Sequence, residues 1–407
     1  MYHRLRVGLL VVFCLSIGNL FGLFAQHSTD YYSLSMVGNA GNGIFAPYYL
    51  SANKHGLVTH SKSGYLRASV FKGLEMNKRF SYEFGIDLVG LMSSTSPVSY
   101  YSDGNLKTYN PGVSSFLIQQ AYIGMKYRMI FISAGCRELT DEVVNFELSS
   151  GGLVWSGNAR PIPQVRAGFI DFVDIPFTKG WVQIKGELAY GKFMDNDFLR
   201  DHYNYYNQYI TTDALYHHKS ISFRSNPDKP FVVTIGAELA AQFGGTKRYY
   251  EKGILIDSLT MKSPTRLKDF FKILFPSSGD GQTNEGDQAY YYGNHVGQWN
   301  LSAEYRFKDN SSVRGYFEWY FDDASGMGKF NGWDGLWGLE YKSGKKNWLS
   351  NVVLEYLDMT NQSGPLNWCP SDYNDPKLDI EATGADDYYN NYFYNGWAHY
   401  GLSNGTA

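Results

Sequence analysis

Cysteine, surplus positive charge and long apolar runs are all scarce in this chain, and each shortage excludes something. Of three cysteines, Cys14 sits in the first apolar stretch, leaving Cys136 and Cys369 far apart with no CxxC spacing. No disulfide framework or thiolate metal site follows from such a set; an exported chain could pair the two, and the count alone leaves that open. Lysine and arginine number 36 against 39 acidic residues, which offers no basic surface for nucleic acid. Past Phe24 no stretch is long and apolar enough for a membrane helix. HisxxxHis, Walker A and GxGxxG patterns, a blade-length repeat and a linker-like charge block or Pro/Ser-rich stretch are also missing.

What is present begins with a leader. MYHRLRVGLLVVFCLSIGNLFGLFAQ carries Arg4 and Arg6, an apolar run to Phe24, and Ala25 before Gln26, the form of a secretory signal peptide cleaved after Ala25. A retained anchor is the competing reading, since the run is near the lower limit for spanning. Ser16, Gly18, Asn19 and Gly22 weaken its second half, and bulky Phe13 before Cys14 argues against a lipoprotein acceptor.

Tyr32 to Tyr49 is rich in Gly and Asn; beyond it, apolar and polar residues alternate with the period of a strand. Leu66, Ala68 and Val70 oppose Arg67 and Ser69. Tyr82, Phe84, Ile86 and Leu88 oppose Glu83, Gly85 and Asp87. The pattern returns around 120–126, 182–188, 233–243, 299–307 and 313–322. A soluble sandwich or propeller with one solvated face would alternate in the same way. The export signal, the aromatic residues Tyr82, Trp181, Trp299 and Phe307 at strand ends, the many tyrosines (34) and phenylalanines (26) and the lack of a blade repeat favour a transmembrane barrel, an all-β fold, over these. The expected architecture is one large antiparallel transmembrane β-barrel over residues 26–407, of about 14–18 strands. Its charged row would line the lumen with Arg67, Glu83, Asp87, Lys185, Glu187, Glu238, Glu304, Arg306, Arg314 and Glu318, mixed signs that suit ion pairing better than a field selective for one ion.

One segment departs from the β pattern. In SPTRLKDFFKILFP, Ser263 can cap, Pro264 suits the first helical position, and Leu267, Phe270, Phe271 and Leu274 share one face. This predicts a short amphipathic helix over 264–275, ended by Pro276 and needing a partner surface, at a barrel mouth or in a helical cap on the periplasmic side.

Candidate ligand-binding residues come from four loop-like stretches, 149–164, 216–223, 322–334, and 359–368 with 386–401. They supply ring faces and hydroxyl-binding groups: Trp155, Asn158, Arg160, Asp322, Asp323, Ser325, Trp333, Asp334, Gln362, Asp386, Asp387, Tyr388, Tyr389, Asn390 and Trp397. Interfacial aromatics and turn-forming Asn, Asp and Gly would produce the same composition without a ligand. Catalysis has less support. His217, His218, His295 and His399 sit in no nucleophile motif, and the acid pairs Asp322–Asp323 and Asp386–Asp387 would point to opposite faces of a strand. SGDGQTNEGD puts Glu285 where a calcium loop needs glycine, so no metal site is expected.

Taken in order, GYLRA (64–68), QAYIGMK (120–126), LSSGGLVWSGNARPIPQVR (148–166), YHHKS (216–220), GNHVGQWN (293–300), DDASG with DGLWGLEY (322–341), VVLEYLDMTNQSGP (352–365) and DDYYNN with GW and YG (386–401) resemble the Wzi-type capsule-assembly proteins of the Gram-negative outer membrane. The resemblance spans nearly the whole chain after the leader. It implies an outer-membrane barrel with a small periplasmic helical element, a lectin that binds capsular polysaccharide and assists capsule assembly at the cell surface. Outer-membrane lipid and the capsule export machinery are its implied partners; no reaction and no cofactor is implied. A saccharide-conducting porin is the alternative, with an outer-membrane hydrolase or a soluble periplasmic sugar-binding protein behind it. Two departures stand out: Cys136 follows a glycine where the family usually has a basic residue, and the chain stops at GLSNGTA where family members usually continue through further strands. That ending points to a C-terminal truncation or an unusual end, and leaves strand count and closure open.

Overall fold

The computed structural model describes residues 30–110, 116–289, 291–322, 327, 332–345, 348–360 and 388–406. The expected leader, Cys369, and the candidate residues Asp323, Ser325, Gln362, Asp386 and Asp387 lie outside the described residues. A 16-stranded antiparallel sheet dominates. Its wall runs in chain order: β1 (Asp30–Asn39), β2 (Ser63–Lys72), β3 (Phe80–Ser93), β4 (Phe116–Tyr127), β5 (Ile130–Cys136), β6 (Gln164–Phe169), β7 (Val182–Lys192), β8 (Asn207–Ser225), β9 (Phe231–Glu251), β10 (Asn294–Arg306), β11 (Ser312–Phe321), β12 (Gly335–Lys342) and β13 (Asn351–Asp358). Three two-residue strands attach to β7 and β9. Among the described residues β1 pairs only with β2, and β13 only with β12.

The wall's two faces invert those of a soluble protein. Along β3, Phe80, Tyr82, Phe84, Ile86 and Leu88 are exposed while Ser81, Glu83, Asp87 and Val89 are buried. Ile86 is 51% exposed and its neighbour Asp87 0%. Water gives no reason to turn isoleucine out and aspartate in; a hydrocarbon surround gives both. Several of the inward charges are paired as their mixed signs suggest. Arg67 bridges Asp87 and Glu138, Arg137 reaches Glu83 at 2.8 Å, Arg166 meets Glu187 at 2.5 Å, His218 meets Glu238 at 2.8 Å, and Arg314 meets Glu340 at 2.6 Å. On β11, Phe317 and Trp319 are on the outward row and Glu318 is fully buried inside.

Connections at the two ends of the wall differ in length. One end carries tight turns such as 73–79, 128–129, 226–230 and 307–311, with Tyr82, Trp181 and Phe307 exposed beside them; the other carries the excursions 40–62, 94–115, 137–163, 193–206 and 252–293. Barrels of this class have short periplasmic turns and longer outer loops.

Several expectations need correction. Asp30–Asn39 forms a strand, with Tyr32, Leu34 and Met36 exposed on alternate positions, although its Gly/Asn-rich continuation hid the pattern. The stretch 216–223 is not a loop but the interior of β8. Trp299 lies within β10 rather than at its end. The helix spans Leu267–Leu274, with Arg266 rather than Ser263 at its N-cap: the Asp269 carboxylate accepts from the Arg266 backbone N–H and from its guanidinium, both at 2.8 Å, and this box sets the start. It also sits at the long-loop end, opposite the tight turns, not in a cap beside them.

Candidate functional site

The long-loop end is built around a segment that leaves the wall and enters the lumen. At Gly135 the backbone takes φ +126°, and a Cβ there would lie 2.1 Å from the Ala121 carbonyl oxygen, so only glycine permits the exit. Residues 137–163 then run through the interior, with 151–159 buried throughout. Inward polar side chains of the wall satisfy its backbone. Leu153 N–H donates to Glu318 Oε2 at 2.8 Å, Val154 N–H to Gln298 Oε1 at 2.9 Å, and Ser150 N–H to Glu355 Oε2 at 3.0 Å. Asn145 Nδ2 reaches Glu340 at 2.6 Å, and Lys185 pairs with Glu142. An irregular backbone at membrane depth is tolerated only where protein supplies such partners.

A second segment, 388–406, locks onto the first. Trp397 Nε1 donates to the Val154 carbonyl at 2.8 Å, Tyr389 OH to the Leu153 carbonyl at 2.5 Å, and Ser156 Oγ to the Gly405 carbonyl at 2.8 Å. Trp155, Tyr216, Tyr316, Tyr320, Leu336, Tyr388 and Trp397 share one apolar core between segment and wall. His399 Nδ1 lies 2.9 Å from the Arg160 carbonyl, and the Met194 N–H donates to its Nε2 at 3.3 Å. Burial pulls the His399 imidazole down to about 4, in keeping with this neutral arrangement. Burial, with Glu238 nearby, pushes the Asp141 carboxyl up to about 7.

The sequence-chosen residues therefore fall into two groups. Trp155, Asn158, Asp334, Tyr388 and Trp397 are buried, and Tyr389 is partly so. Asn158 bridges Asn53 and the Gly405 carbonyl, and Tyr388 OH donates to Asp334 Oδ2 at 2.7 Å. Packing inside the barrel occupies these side chains and turns them away from solvent. Trp333, 73% exposed, and Asn390 face outward; Arg160 is part-buried, its guanidinium 4.1 Å from the Tyr400 ring centre; Asp322 is part-buried at the end of β11. The four histidines are dispersed: His217 on the outward row of β8, His218 in the lumen, His295 against the Tyr292 carbonyl, and His399 in the second segment.

Two concavities open among the loops. A cavity of about 280 Å³ lies between the helix Asn196–His202 and segment 388–406, lined by Phe193, Asp195, Phe198, His202, Tyr394 and Asn395 among others. Farther out is a cleft of Tyr100, Tyr101, Tyr109, Tyr205 and Tyr250 with Arg200 and Asp201. Sequence reasoning missed this cleft. Its signals were the Asp103-Gly104 turn of the hairpin Val98–Tyr109 and the three tyrosine pairs 100–101, 205–206 and 249–250.

Backbone bonds from three separate loops stitch the cleft together. Tyr101 N–H donates to the Asn204 carbonyl at 2.8 Å, Gly104 N–H to Lys252 at 2.8 Å, Lys252 N–H to Tyr206 at 2.9 Å and Gly253 N–H to Tyr205 at 2.8 Å. Tyr205 is held at φ +55°, its hydroxyl donating to the Arg200 carbonyl at 2.8 Å. Burial, then the neighbouring Tyr250, pushes that phenol up to about 12, so it stays a hydroxyl donor. Arg200 clasps Asp201 (2.8 Å) and Asp197 (2.7 Å) yet is 64% exposed, leaving polar heads beside the aromatic walls. Rings for apolar faces, with a guanidinium and a carboxylate beside them, suit a polyhydroxylated ligand.

No protein-family model and no curated protein matches the chain. Among solved structures, the Escherichia coli outer-membrane protein Wzi, described as a carbohydrate-binding β-barrel involved in group 1 capsule assembly, aligns with a TM-score of 0.50 at 13% identity, over 93% of this chain and 64% of that one. This chain thus spans less than two thirds of that structure's length. A mutant porin of Rh. blastica aligns with a TM-score of only 0.27 at 9% identity, over 79% of this chain and 98% of that one, a likeness too slight to carry weight. What the chain shares with the first of these is a fold, that of a Wzi-like β-barrel.

Proposed function

We propose that this protein is a non-enzymatic outer-membrane lectin that binds capsular polysaccharide and assists capsule assembly or attachment at the cell surface, with the capsule export machinery as its protein partner. The observation that carries the reading is the tyrosine cleft at the long-loop end, the end that faces outward in barrels with short periplasmic turns. Its walls are fixed before a ligand arrives, which lowers the ordering cost of binding. Among the sequence-chosen residues, exposed Trp333 and part-buried Arg160 would extend the contact; the buried ones hold the mouth's shape. The alternative, a saccharide-conducting porin, needs an open lumen, whereas segment 137–163 is bonded across it.

The test is glycan binding by the purified barrel against its native capsule oligosaccharides, paired with surface-polysaccharide staining of a deletion strain. Replacing Tyr109 and Tyr250 by alanine should weaken binding at least about fivefold, at about 0.5–1.5 kcal/mol for each stacking ring. Undisturbed capsule retention together with no glycan binding would sink the reading. Large stable conductance steps in planar bilayers would instead favour the porin.

A further inference from the structure

The helix Leu267–Leu274 does not enter the lumen. It lies on the outside of the wall. Along β9 the row Ile235, Ala237, Leu239, Ala241 and Phe243 faces away from the interior, with Ile235 53% exposed, and along β8 the matching row is Ile221, Lys219, His217 and Leu215. The helix seats on these rows: Ile273 is fully buried with Ala241, Phe243 and Tyr292, and Phe270 packs edge-on against Phe243 at 5.2 Å and at a tilt against Tyr190 at 5.3 Å. Tyr190 OH donates to the Phe270 carbonyl at 3.0 Å, and Lys219 Nζ caps the carbonyls of Ile273 (3.1 Å) and Leu274.

That docking uses one side of the helix. Its other side shows a second apolar stripe at i, i+4 and i+8: Leu267 is 76% exposed, Phe271 56% and Phe275 69%. Nothing among the described residues covers it. Depth identifies the occupant. An apolar band about 25 Å tall, crossed by strands tilted about 40° and rising about 3.4 Å per residue, needs roughly ten residues. Counted from Phe231 at the tight-turn edge, that reaches Ala241, and Lys219 pairs with Leu239, one step below. The helix therefore lies where the lipid-facing band ends. Exposed Lys268, with Arg266 and Lys272, gathers on Asp280 next to the stripe while Arg266 also holds Asp269, so three cations face two acids and one positive charge is left over at headgroup level.

We propose that this helix is an interfacial anchor: Leu267, Phe271 and Phe275 bury into the acyl region of the leaflet on the long-loop side, and fix how deep the barrel sits. The inference rests on the outer-membrane reading, so its test carries a control for that reading. In a background with Cys136→Ser and Cys369→Ser, nitroxide labels are placed singly by Phe271→Cys, Phe275→Cys, Ile86→Cys and Asp103→Cys in protein reconstituted into vesicles. Collision rates with oxygen and with a water-soluble nickel chelate are then compared. Labels at 271 and 275 should favour oxygen as the wall label at 86 does, and the loop label at 103 should favour nickel. A label at 86 in lipid, with 271 and 275 open to nickel, overturns the anchor alone. Exclusion of both reagents at 271 and 275 means that protein covers the stripe, and also overturns it. Nickel access at 86 as well as at 271 overturns the membrane reading itself.

Discussion

Ile86 and Asp87 are neighbours on one strand and live in different media. The outward face of the wall needs only apolar side chains, repeated at every second residue, and makes few specific contacts. The inward face is specified pair by pair: Asp87 alone takes hydrogen bonds from Ser69 (3.0 Å) and Gln120 (3.1 Å) and an ion pair from Arg67. One face is held by a solvent and the other by named partners. Mutations on the two faces should therefore fail in different ways.

The largest effect is expected inside. Asp87→Ala leaves Arg67 with only Glu138, strands the Ser69 donor and leaves Gln120 Nε2 with only its longer bond to Glu138 at 3.4 Å, and breaking a buried pair in this way costs about 3–5 kcal/mol. Urea unfolding of the refolded barrel, followed by tryptophan emission, should show that loss. A cost below about 1 kcal/mol would mean that the lumen behaves as bulk water at this point. Its neighbour offers the complementary break. Ile86→Arg puts a charge near the middle of the apolar band and should cost about 2–4 kcal/mol in a bilayer; no loss there would remove the lipid-facing assignment of that row.

This division also explains what the sequence could and could not show. Period-two alternation at 80–89 or 312–321 reports which face meets lipid, because that face is defined by composition alone. Lumen contacts such as Glu318 with Leu153, 165 positions apart, follow from chain routing, and no local pattern encodes routing. That is why Trp155, Asn158 and Trp397 read as ligand-binding groups from their chemistry while the fold turns them inward. The tyrosine cleft depends on three loops distant in sequence. Its paired tyrosines were visible, but their convergence was not.

Within the interior, pH should separate the two inserted segments. His399 is held at about 4 when folded, against about 6.5 when free, so the folded state binds fewer protons in that window. Its contribution is present above about pH 6.5 and is lost as pH falls toward 4. Asp141, raised from 3.8 to about 7, has the opposite sign: the folded state binds more protons, and its contribution declines as pH rises through that range. Limited proteolysis of 388–406 against pH should show increasing cleavage on acidification, weakened in His399→Gln. Asp141→Asn should flatten the loss of stability on raising pH from about 4 to 7.

The smallest expected effect decides whether position or burial makes the inward face costly to break. Glu304 belongs to the same inward row of β10 as Gln298 and Asn300, and Arg306 grips one of its oxygens through Nε at 3.0 Å and Nη2 at 2.8 Å. Geometrically the pair rivals those around Asp87. It lies near the tight turns, however, with Glu304 24% exposed and Arg306 45%, so water screens the charges and remains available to either partner. Glu304→Gln should therefore cost less than about 1 kcal/mol, shrinking further in high salt. If it instead cost as much as Asp87→Ala, the inward row would be under one electrostatic regime from end to end, and the distinction between the faces would rest on direction alone rather than on access to water.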